Sequence, residues 1–465
     1  MTNVNIITKV IGLLLLCLYK GVFSMKRKII KDLLEWKNNP MRKPLLFTGV
    51  RQCGKTYILK EFGNEYFENL CYVNFESSSQ FGAIFDYDFD VNRIIKEIQL
   101  ITGQKITEGK TLLFFDEIQE CPKAITSLKY FCENLNTLHV VAAGSLLGVA
   151  LTKENISFPV GKVNRMQLFP MDFEEFLLAM GHENYIELFK DWDCNRQIPE
   201  LYTTPLEKLL KSYYVVGGMP EAVAEFVNSQ NYEAVAKIQD EILSDYADDF
   251  SKHAPVSEIE KIRWIWESVP KQLAKENNKF VFSHVKQGKR AHELEGALQW
   301  LKNAGLIYQV EMVSNAEVPL SFYSDATYFK VYMADSGLLC RRLGLSYKSY
   351  MEGNDSLKTI KGAITENYVL CQLKANGKNP YFWRSENTAE LDFLFESCDK
   401  IIPVEVKAAA NTQAKSYKQF CKKYNVERGF KLSLKNIGMN EIDGVKTFSL
   451  PLYLAWNMEF YLCSD

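Results

Sequence analysis

The stretch GVRQCGKT spans Gly49–Thr56 and follows the apolar run Pro44–Phe47. It matches the pattern G-x-x-x-x-G-K-[ST] at every fixed position, and its flanks predict a strand over Leu45–Thr48 and a helix over Tyr57–Phe62. Glycines allow backbone N–H groups to surround phosphate oxygens, and the N-terminus of the following helix favours an anion. The stretch therefore predicts a nucleotide phosphate loop between a strand and a helix.

The residue types in this loop indicate separate tasks. The Lys55 ammonium is expected to contact the outer phosphates, and the Thr56 hydroxyl is expected to bind Mg²⁺. The residues expected to contact the nucleotide are Gly49, Gln52, Cys53, Gly54, Lys55, Thr56, Tyr57 and Ser145.

An acidic pair lies about sixty residues further along the chain. The apolar, β-prone run Thr111–Phe115 ends in Asp116 and Glu117. A carboxylate at the carboxyl end of such a strand can hold Mg²⁺, and a neighbouring one can polarise the attacking water. Asp116 and Glu117 are therefore the predicted magnesium ligand and catalytic carboxylate, although a surface acidic pair after a core strand is the alternative.

Ser145 ends a third predicted strand, Leu138–Ala143, in the stretch HVVAAGS. Its hydroxyl could sense the outermost phosphate or could cap the following helix, and the sequence leaves both open. The N-K-x-D motif that recognises guanine does not follow the loop, and its absence favours ATP over GTP.

These motifs, with several longer stretches, resemble prokaryotic AAA-type ATPases of the archaeal-ATPase kind. The stretches are KPLLFTGVRQCGKT, LLFFDEIQECP, GSLLGVAL, SFPVGKVNRMQLFPMDFEEF, YYVVGGMPEAV, FKVYMADSGLL, KGAITENYVL and ELDFLFE with IIPVEVKAA, from Met25 to about Asn411. The resemblance implies ATP binding and hydrolysis in the N-terminal domain. It implies an arginine finger from a neighbouring subunit as well, for which Arg51, Lys162 and Arg165 are candidates, each equally suited to an ordinary salt bridge. It also implies a winged-helix-like middle and a C-terminal domain similar to the PD-(D/E)xK nuclease fold.

Size and composition fit a multidomain protein of the cytosol. The chain has 465 residues, 47% of them apolar and 24% charged, with a net charge of −2 and 11 cysteines. This length exceeds one hydrophobic core, and the near-neutral charge excludes a uniformly basic nucleic-acid coat. Cysteines without disulfide or metal spacing are typical of reduced thiols. We expect a cytoplasmic location, where ATP is available.

The first 24 residues are set apart by the apolar run VIGLLLLCLY at Val10–Tyr19. Ten apolar residues are too few to span a bilayer, and Val22–Ser24 is a poor signal-peptide cleavage site. We expect a mis-called start before Met25 or a dispensable extension, with a weak membrane-associated segment and a signal peptide as alternatives. No stable membrane insertion is expected.

The middle of the chain carries a helical repeat followed by strands. Leu294, Leu298 and Leu301 have helical spacing, Gly305 ends the helix, and residues 258–310 predict three helices and a β-hairpin, the pattern of a winged helix. Residues 271–302 contain seven Lys/Arg against three Glu. Such a face could contact DNA phosphates, and a spacer that binds protein is the alternative.

A third group of polar residues lies near the C-terminus. Glu405 and Lys407 are two apart on a predicted strand and so share a face, and Asp392 lies on the preceding hairpin strand. Two carboxylates that hold Mg²⁺ beside a lysine suit phosphodiester hydrolysis. Glu366 is a candidate further ligand, and Gln413 and Lys415 are candidate lining residues. An exposed strand pair with alternating charge, or an inert binding module on the same fold, is the alternative.

Together these features predict an α/β chain. We expect an extension over 1–24, an AAA-type P-loop domain with a parallel sheet over 25–215, a helical and winged-helix-like segment over 216–350, and a small PD-(D/E)xK-like α/β domain over 351–465. The leading hypothesis is Mg²⁺-dependent ATP hydrolysis coupled to DNA binding or cleavage. The alternative is a nucleotide-gated switch whose C-terminal half binds a protein partner or self-associates.

Overall fold

The computed structural model describes residues 25–150, 157–275, 278–352, 357–385, 389–409, 415–424 and 426–463. The extension predicted over 1–24 and the candidate Gln413 lie outside the described residues. Among the described helices, none has both the length and the apolar character needed to cross a bilayer.

The N-terminal part contains a five-stranded parallel sheet of order β2-β3-β4-β1-β5. Its strands are β1 (Leu45–Gly49), β2 (Asn69–Asn74), β3 (Thr111–Asp116), β4 (His139–Ala143) and β5 (Asn164–Leu168). Its helices are α1 (Ile29–Asn38), α2 (Lys55–Tyr66), α3 (Ser79–Ala83), α4 (Val91–Thr102), α5 (Pro122–Asn134) and α6 (Leu147–Ala150). The parallel α/β sheet predicted from the sequence is confirmed.

The strand order places the candidate catalytic residues together. β4 lies between β1 and β3, and all three run parallel. Since the carboxyl ends of parallel strands meet at one edge, the residues that follow β1, β3 and β4 surround one crevice, where ligands of open α/β sheets bind.

A helical region follows the first sheet. Its helices are α7 (Phe173–Ala179), α8 (Glu183–Phe189), α9 (Glu200–Val216), α10 (Pro220–Ser229), α11 (Tyr232–His253), α12 (Val256–Leu273), α13 (Ala291–Asn303), α14 (Ser336–Arg342) and α15 (Tyr347–Glu352). α9 ends at the Gly217-Gly218 pair and α10 begins at Pro220, as glycine and proline signals predict.

The second sheet is mixed and has eight strands, in the order β12-β13-β11-β10-β9-β8-β6-β7. Its strands are β6 (Ile307–Val313), β7 (Ser324–Met333), β8 (Tyr381–Arg384), β9 (Glu390–Ser397), β10 (Lys400–Val406), β11 (Arg428–Ser433), β12 (Gly438–Ile442) and β13 (Val445–Pro451). The remaining helices are α16 (Lys358–Ala375), α17 (Lys415–Lys423) and α18 (Met458–Cys463).

The middle segment differs from the three helices and the β-hairpin predicted for residues 258–310. Between α12 and α13 the described residues form only a 3-10 turn, Phe282–His284, and Lys279 makes a β-bridge with Lys330 of β7. The β-prone run Phe280–Phe282 explains this extended path. The hairpin β6–β7 joins the C-terminal sheet through parallel pairing of β6 with β8, so one sheet crosses the boundary predicted at residue 350.

Alternate residues of the first sheet enter different cores. Phe115 of β3 packs with Val73 and Phe131 on one face, whereas Phe114 belongs to a larger core on the other face. That larger core continues through α9 and α13 to Phe393 of β9. The first, parallel sheet and the second, mixed sheet therefore share one hydrophobic core.

Candidate functional site

The backbone of the phosphate loop requires glycine at two positions. A Cβ atom on Gly49 would overlap the carbonyl of Leu168 on β5. Gly54, with φ of 95°, lies in the left-handed region just before α2 begins at Lys55, a conformation that glycine adopts without steric cost. The loop therefore turns directly into the helix N-terminus.

Lys55 is buried at the base of the loop. Its Nζ donates to the carbonyl oxygens of Gly49 and Val50, both at 2.9 Å. Arg27, which the sequence did not single out, holds the loop from the other side. Its guanidinium donates to the carbonyl of Cys53 at 3.1 Å and forms a buried ion pair with Glu175 at 3.1 Å.

Thr56, near the start of α2, and Asp116, at the end of β3, lie in contact. Thr56 Oγ1 donates to Asp116 Oδ2 at 2.9 Å, and the Tyr72 hydroxyl donates to the same oxygen at 2.9 Å. Burial raises the pKa of Asp116, and the hydrogen bonds from Tyr72 and Thr56 partly oppose that shift. This corner offers a hydroxyl and a carboxylate, both hard oxygen donors.

Glu117 lies beside Asp116 in a left-handed conformation, with φ of 49°. Its Oε2 accepts a hydrogen bond from Gln119 Nε2 at 2.6 Å and one from Ser145 Oγ at 3.4 Å. A non-glycine residue in this region costs of order 1–3 kcal/mol and is often found at functional sites. The acidic pair after β3 and the serine after β4 therefore belong to one hydrogen-bonded group.

These residues surround a cavity of about 560 Å³. Of the residues predicted to contact nucleotide, Gln52, Gly54, Lys55, Thr56, Tyr57 and Ser145 line it, together with Glu117. Gly49 forms the turn of the loop, and Cys53 is buried behind it, with its Sγ 3.7 Å from the Leu168 carbonyl. Sequence reasoning missed the opposite wall, which consists of Met25, Arg27, Pro220, Glu221, Ala224 and Asn228.

Helix α11 holds the outer side of the loop through charged contacts. Arg51 forms an ion pair with Asp249, Gln52 Nε2 donates to Asp245 Oδ2 at 2.6 Å, and the Tyr246 hydroxyl donates to the Arg51 carbonyl at 3.0 Å. Arg51 is thus engaged within the chain.

The other two arginine-finger candidates also have contacts inside the chain. Lys162 pairs with Glu133 at 3.0 Å, and the Arg165 guanidinium lies 4.7 Å from the Phe158 ring centroid. The finger role itself stays a prediction.

A buried carboxylate joins the start of α10 to the C-terminal half. Asp335 accepts hydrogen bonds from the N–H groups of Gly218 at 2.6 Å and of Leu338 at 2.8 Å. Burial raises its pKa from 3.8 to about 6, against the lowering effect of these N–H groups. Asp335 therefore positions the helix whose first turn lines the nucleotide cavity.

The predicted C-terminal residues Asp392, Glu405 and Lys407 converge. Lys407 Nζ lies 2.6 Å from Glu405 Oε1, and Asp392 Oδ2 accepts from the Val406 N–H at 2.7 Å. The pKa of Asp392 is raised well above its usual range, mainly by burial and to a smaller extent by the neighbouring carboxylates of Glu405 and Glu366. The second oxygen of Glu405 is buried and has no hydrogen-bond partner among the described residues.

Glu366 forms an ion pair with Lys330, a residue that the sequence analysis did not single out. Lys330 of β7 is 1% exposed, and its Nζ lies 3.0 Å from Glu366 Oε1 and 2.6 Å from Glu390 Oε1. Tyr332 and Asn278 also donate to Glu366, at 2.5 Å and 3.0–3.1 Å. The other candidate, Lys415, is exposed at the start of α17.

The structure does not group Glu366, Asp392 and Glu405 as a three-residue metal site, and Mg²⁺ binding by this cluster stays a prediction. Across the part of the chain that the structure describes, no three or more His, Cys, Asp or Glu side chains are grouped so that they could hold a metal ion. The ammonium groups of Lys330 and Lys407 instead supply the positive charge that buried carboxylates require.

Comparison with protein families divides the chain into three matched regions. Residues 41–177 match the model of an AAA domain, residues 207–349 match a domain of unknown function, DUF8612, and residues 361–453 match another, DUF4143. The relation to the PD-(D/E)xK fold is not shown by these matches.

Similar curated proteins are themselves uncharacterised. Protein MJ1544 of Methanocaldococcus jannaschii is 24% identical over 386 residues, which are 80% of this chain and 76% of that protein. Protein Rv2008c of Mycobacterium tuberculosis is 40% identical over 80 residues, 17% of each chain.

Among solved structures, a Walker-type ATPase of Pyrococcus abyssi has 16% identity and a TM-score of 0.42 over 69% of this chain and 96% of its own. The ORC2 protein of Aeropyrum pernix, in ADPNP and ADP complexes, has 12% identity and a TM-score of 0.35 over 70% and 92%. Residues 41–177 match the AAA model and contain the parallel sheet and the phosphate loop, so this part of the chain is an AAA-type P-loop ATPase domain.

Proposed function

We propose that Mg·ATP binds in the 560 Å³ cavity and is hydrolysed there by residues of the loop and of β3. The phosphates would lie against the loop and the N-terminus of α2, and the adenine would contact Tyr57 and Ala224, which line the same cavity. The observation that carries this proposal is that Lys55 and Thr56, at the start of α2, line the same cavity as Glu117, which follows β3.

Mg²⁺ fits the corner formed by Thr56 and Asp116. Their oxygens lie 2.9 Å apart, and Mg²⁺ prefers one or two such ligands together with phosphate oxygens. When bound, the ion neutralises charge on the phosphates. Burial of Asp116 keeps this carboxylate shielded from solvent beside the loop.

Glu117 is the proposed base that orients and polarises the attacking water. Gln119 and Ser145 fix its carboxylate through hydrogen bonds, so the oxygen that faces the cavity keeps one orientation. Lys55 would exchange its two carbonyl partners for phosphate oxygens, to which a lysine donates charge-assisted hydrogen bonds.

Replacement of Lys55 tests the assignment of the loop. Lys55→Ala should abolish ATP binding, measured with a fluorescent ATP analogue, and phosphate release. Lys31→Ala, which removes the same charge from an exposed position on α1, is the control and should keep both. Unchanged hydrolysis in Lys55→Ala would refute the assignment.

We also propose that the nucleotide state controls the C-terminal half. Two contacts support this coupling. Gly305, just after α13, packs against Val50 of the loop, and Asp335 anchors the start of α10 at the cavity wall. Because the two sheets share one core, a change of loop or α10 position would reach the C-terminal sheet. The chain would then act as an ATP-driven switch whose C-terminal half binds a partner.

A second candidate function is phosphodiester cleavage by the C-terminal half, coupled to ATP hydrolysis and DNA binding. The convergence of Asp392, Glu405 and Lys407 favours it, as does the unpartnered buried oxygen of Glu405. Incubation of supercoiled DNA with wild-type protein and with Asp392→Asn tests it. Cutting by the wild type alone would establish the nuclease, and intact DNA in both would leave the binding function.

A further inference from the structure

Two adjoining cavities, of about 390 and 400 Å³, form a groove beside the nucleotide cavity. They share Gln167 of β5 and Lys302 and Gly305 at the end of α13 as walls. One end of the groove reaches Ser145 at the nucleotide site, and the other reaches the end of α16. We call this space the β5–β6 groove, after the two strands that border it.

The charged side chains among the described residues that line the β5–β6 groove are all basic. Arg165, Lys302, Lys374 and Lys378 line it, whereas none of the described residues that line it is Asp or Glu. Lys302 donates to Gln309 at 2.8 Å and Lys374 to Asn379 at 3.0 Å, both neutral partners. The groove therefore concentrates positive charge in a chain with a net charge of −2.

Carboxylates near the rim balance only part of this charge. Lys378 pairs with Glu459 at 2.5 Å, and Glu459 is half exposed. Burial lowers the pKa of Lys302, and the carboxylate of Glu311 opposes that shift only in part. Burial likewise lowers the pKa of Lys374. Partly buried cations without close counterions are stabilised by a polyanion that enters the groove.

Aromatic rings lie among these cations. Phe169 and Tyr308 are partly exposed in the groove, with ring centroids 6.5 Å apart. Lys374 Nζ lies 6.0 Å from the Tyr308 centroid. Cations beside aromatic rings suit a strand whose phosphates contact the cations and whose bases stack on the rings. An acidic peptide would satisfy only the cations.

We propose that the β5–β6 groove binds single-stranded nucleic acid. Since the groove reaches Ser145 and Thr48 beside the phosphate loop, occupancy would depend on the nucleotide state. This dependence rests on the proposed ATPase site, whereas strand binding itself does not.

Fluorescence anisotropy with a labelled oligothymidine tests the proposal. Lys374→Gln/Lys378→Gln removes two groove charges, and Lys348→Gln/Lys358→Gln removes two exposed charges on α15 and α16 that do not line the groove. The groove variant should bind about tenfold more weakly, with a salt slope reduced by about one for each lost phosphate contact. The control variant should bind like the wild type.

Two results would overturn the proposal. One is equal loss of affinity in the groove variant and in the control variant at matched thermal stability. The other is tight binding of labelled polyglutamate with no binding of the oligonucleotide, which would assign the groove to an acidic protein segment. ATP hydrolysis by the wild-type protein is measured in parallel without oligonucleotide. This measurement distinguishes failure of the proposed ATPase function from failure of the proposed strand binding.

Discussion

The main-chain carbonyl of Asn303 lies against Gly148 so closely that a Cβ on this glycine would overlap the carbonyl oxygen. Asn303 is the last residue of α13, and Gly148 lies in α6, directly after the strand that delivers Ser145. This contact joins the nucleotide site to the middle of the chain without an intervening side chain. A displacement of α6 would move α13, and with it the strand β6 that follows.

Gly148→Ala should weaken this contact. The added methyl group meets backbone that cannot rotate away, so we expect a loss of about 1–3 kcal/mol in the free energy of unfolding, measured by urea denaturation. Gly362→Ala is the matched control, because a Cβ at this helical position of α16 meets nothing within 4 Å. The control should be neutral or stabilising by about 0.4–1 kcal/mol. Equal effects of the two substitutions would contradict the close approach.

Asp335 should make stability depend on pH. Its folded-state pKa of about 6 lies above its ordinary 3.8. The folded state therefore binds the proton more tightly, and stability falls as pH rises between these values. The pKa difference corresponds to about 3 kcal/mol. The free energy of unfolding of wild type minus that of Asp335→Asn should fall by about this amount from pH 3.5 to 7.5. A flat difference would show that Asp335 is not destabilised by burial.

Lys330 should stabilise the C-terminal sheet as part of a charge cluster. Lys330→Met leaves Glu366 and Glu390 without their buried cation, and breaking such a pair costs about 3–5 kcal/mol. Lys330→Met/Glu366→Gln removes charge from both sides and should recover part of that loss. Thermal or urea denaturation of the three proteins measures the coupling. Strict additivity of the two substitutions would show that these groups do not interact.

Thr56 should govern the magnesium requirement through its hydroxyl. Thr56→Ala removes the proposed ligand, so half-maximal hydrolysis should require about tenfold more Mg²⁺, in line with the loss of one charge-assisted contact. Thr56→Ser keeps the hydroxyl and should behave like the wild type. The measurement is phosphate release over a magnesium titration, and identical titrations of the two variants would exclude Thr56 as a ligand.

The nucleotide site was largely predictable because its signals are local. Strand, glycine loop and helix follow one another around Lys55, and the acidic pair at Asp116 ends an apolar strand. β5 was missed because Asn164–Leu168 exposes alternate polar residues such as Arg165 and Gln167 at a sheet edge. Its pairing with β1 depends on tertiary contacts that local propensity does not encode.

The C-terminal half was less predictable because its key contacts are distant in sequence. The pairing of β6 with β8 joins Val313 to Trp383, and no local pattern shows that this hairpin belongs to the later sheet. Lys330 is the one cationic residue within the strand Ser324–Met333 and is flanked by apolar and aromatic residues, which is a signal for a buried ion pair. The sequence could not identify Glu366 as its partner, so Glu366 was read as a metal ligand.

Phosphate release by the wild type and by Glu117→Gln is the most direct test of the central claim, that this site hydrolyses ATP. The measurement uses saturating ATP and Mg²⁺, with ATP binding checked separately. We predict turnover by the wild type and a loss of about 100-fold or more in Glu117→Gln, which should still bind ATP. Equal turnover in the two proteins, or no turnover in the wild type, would contradict the account.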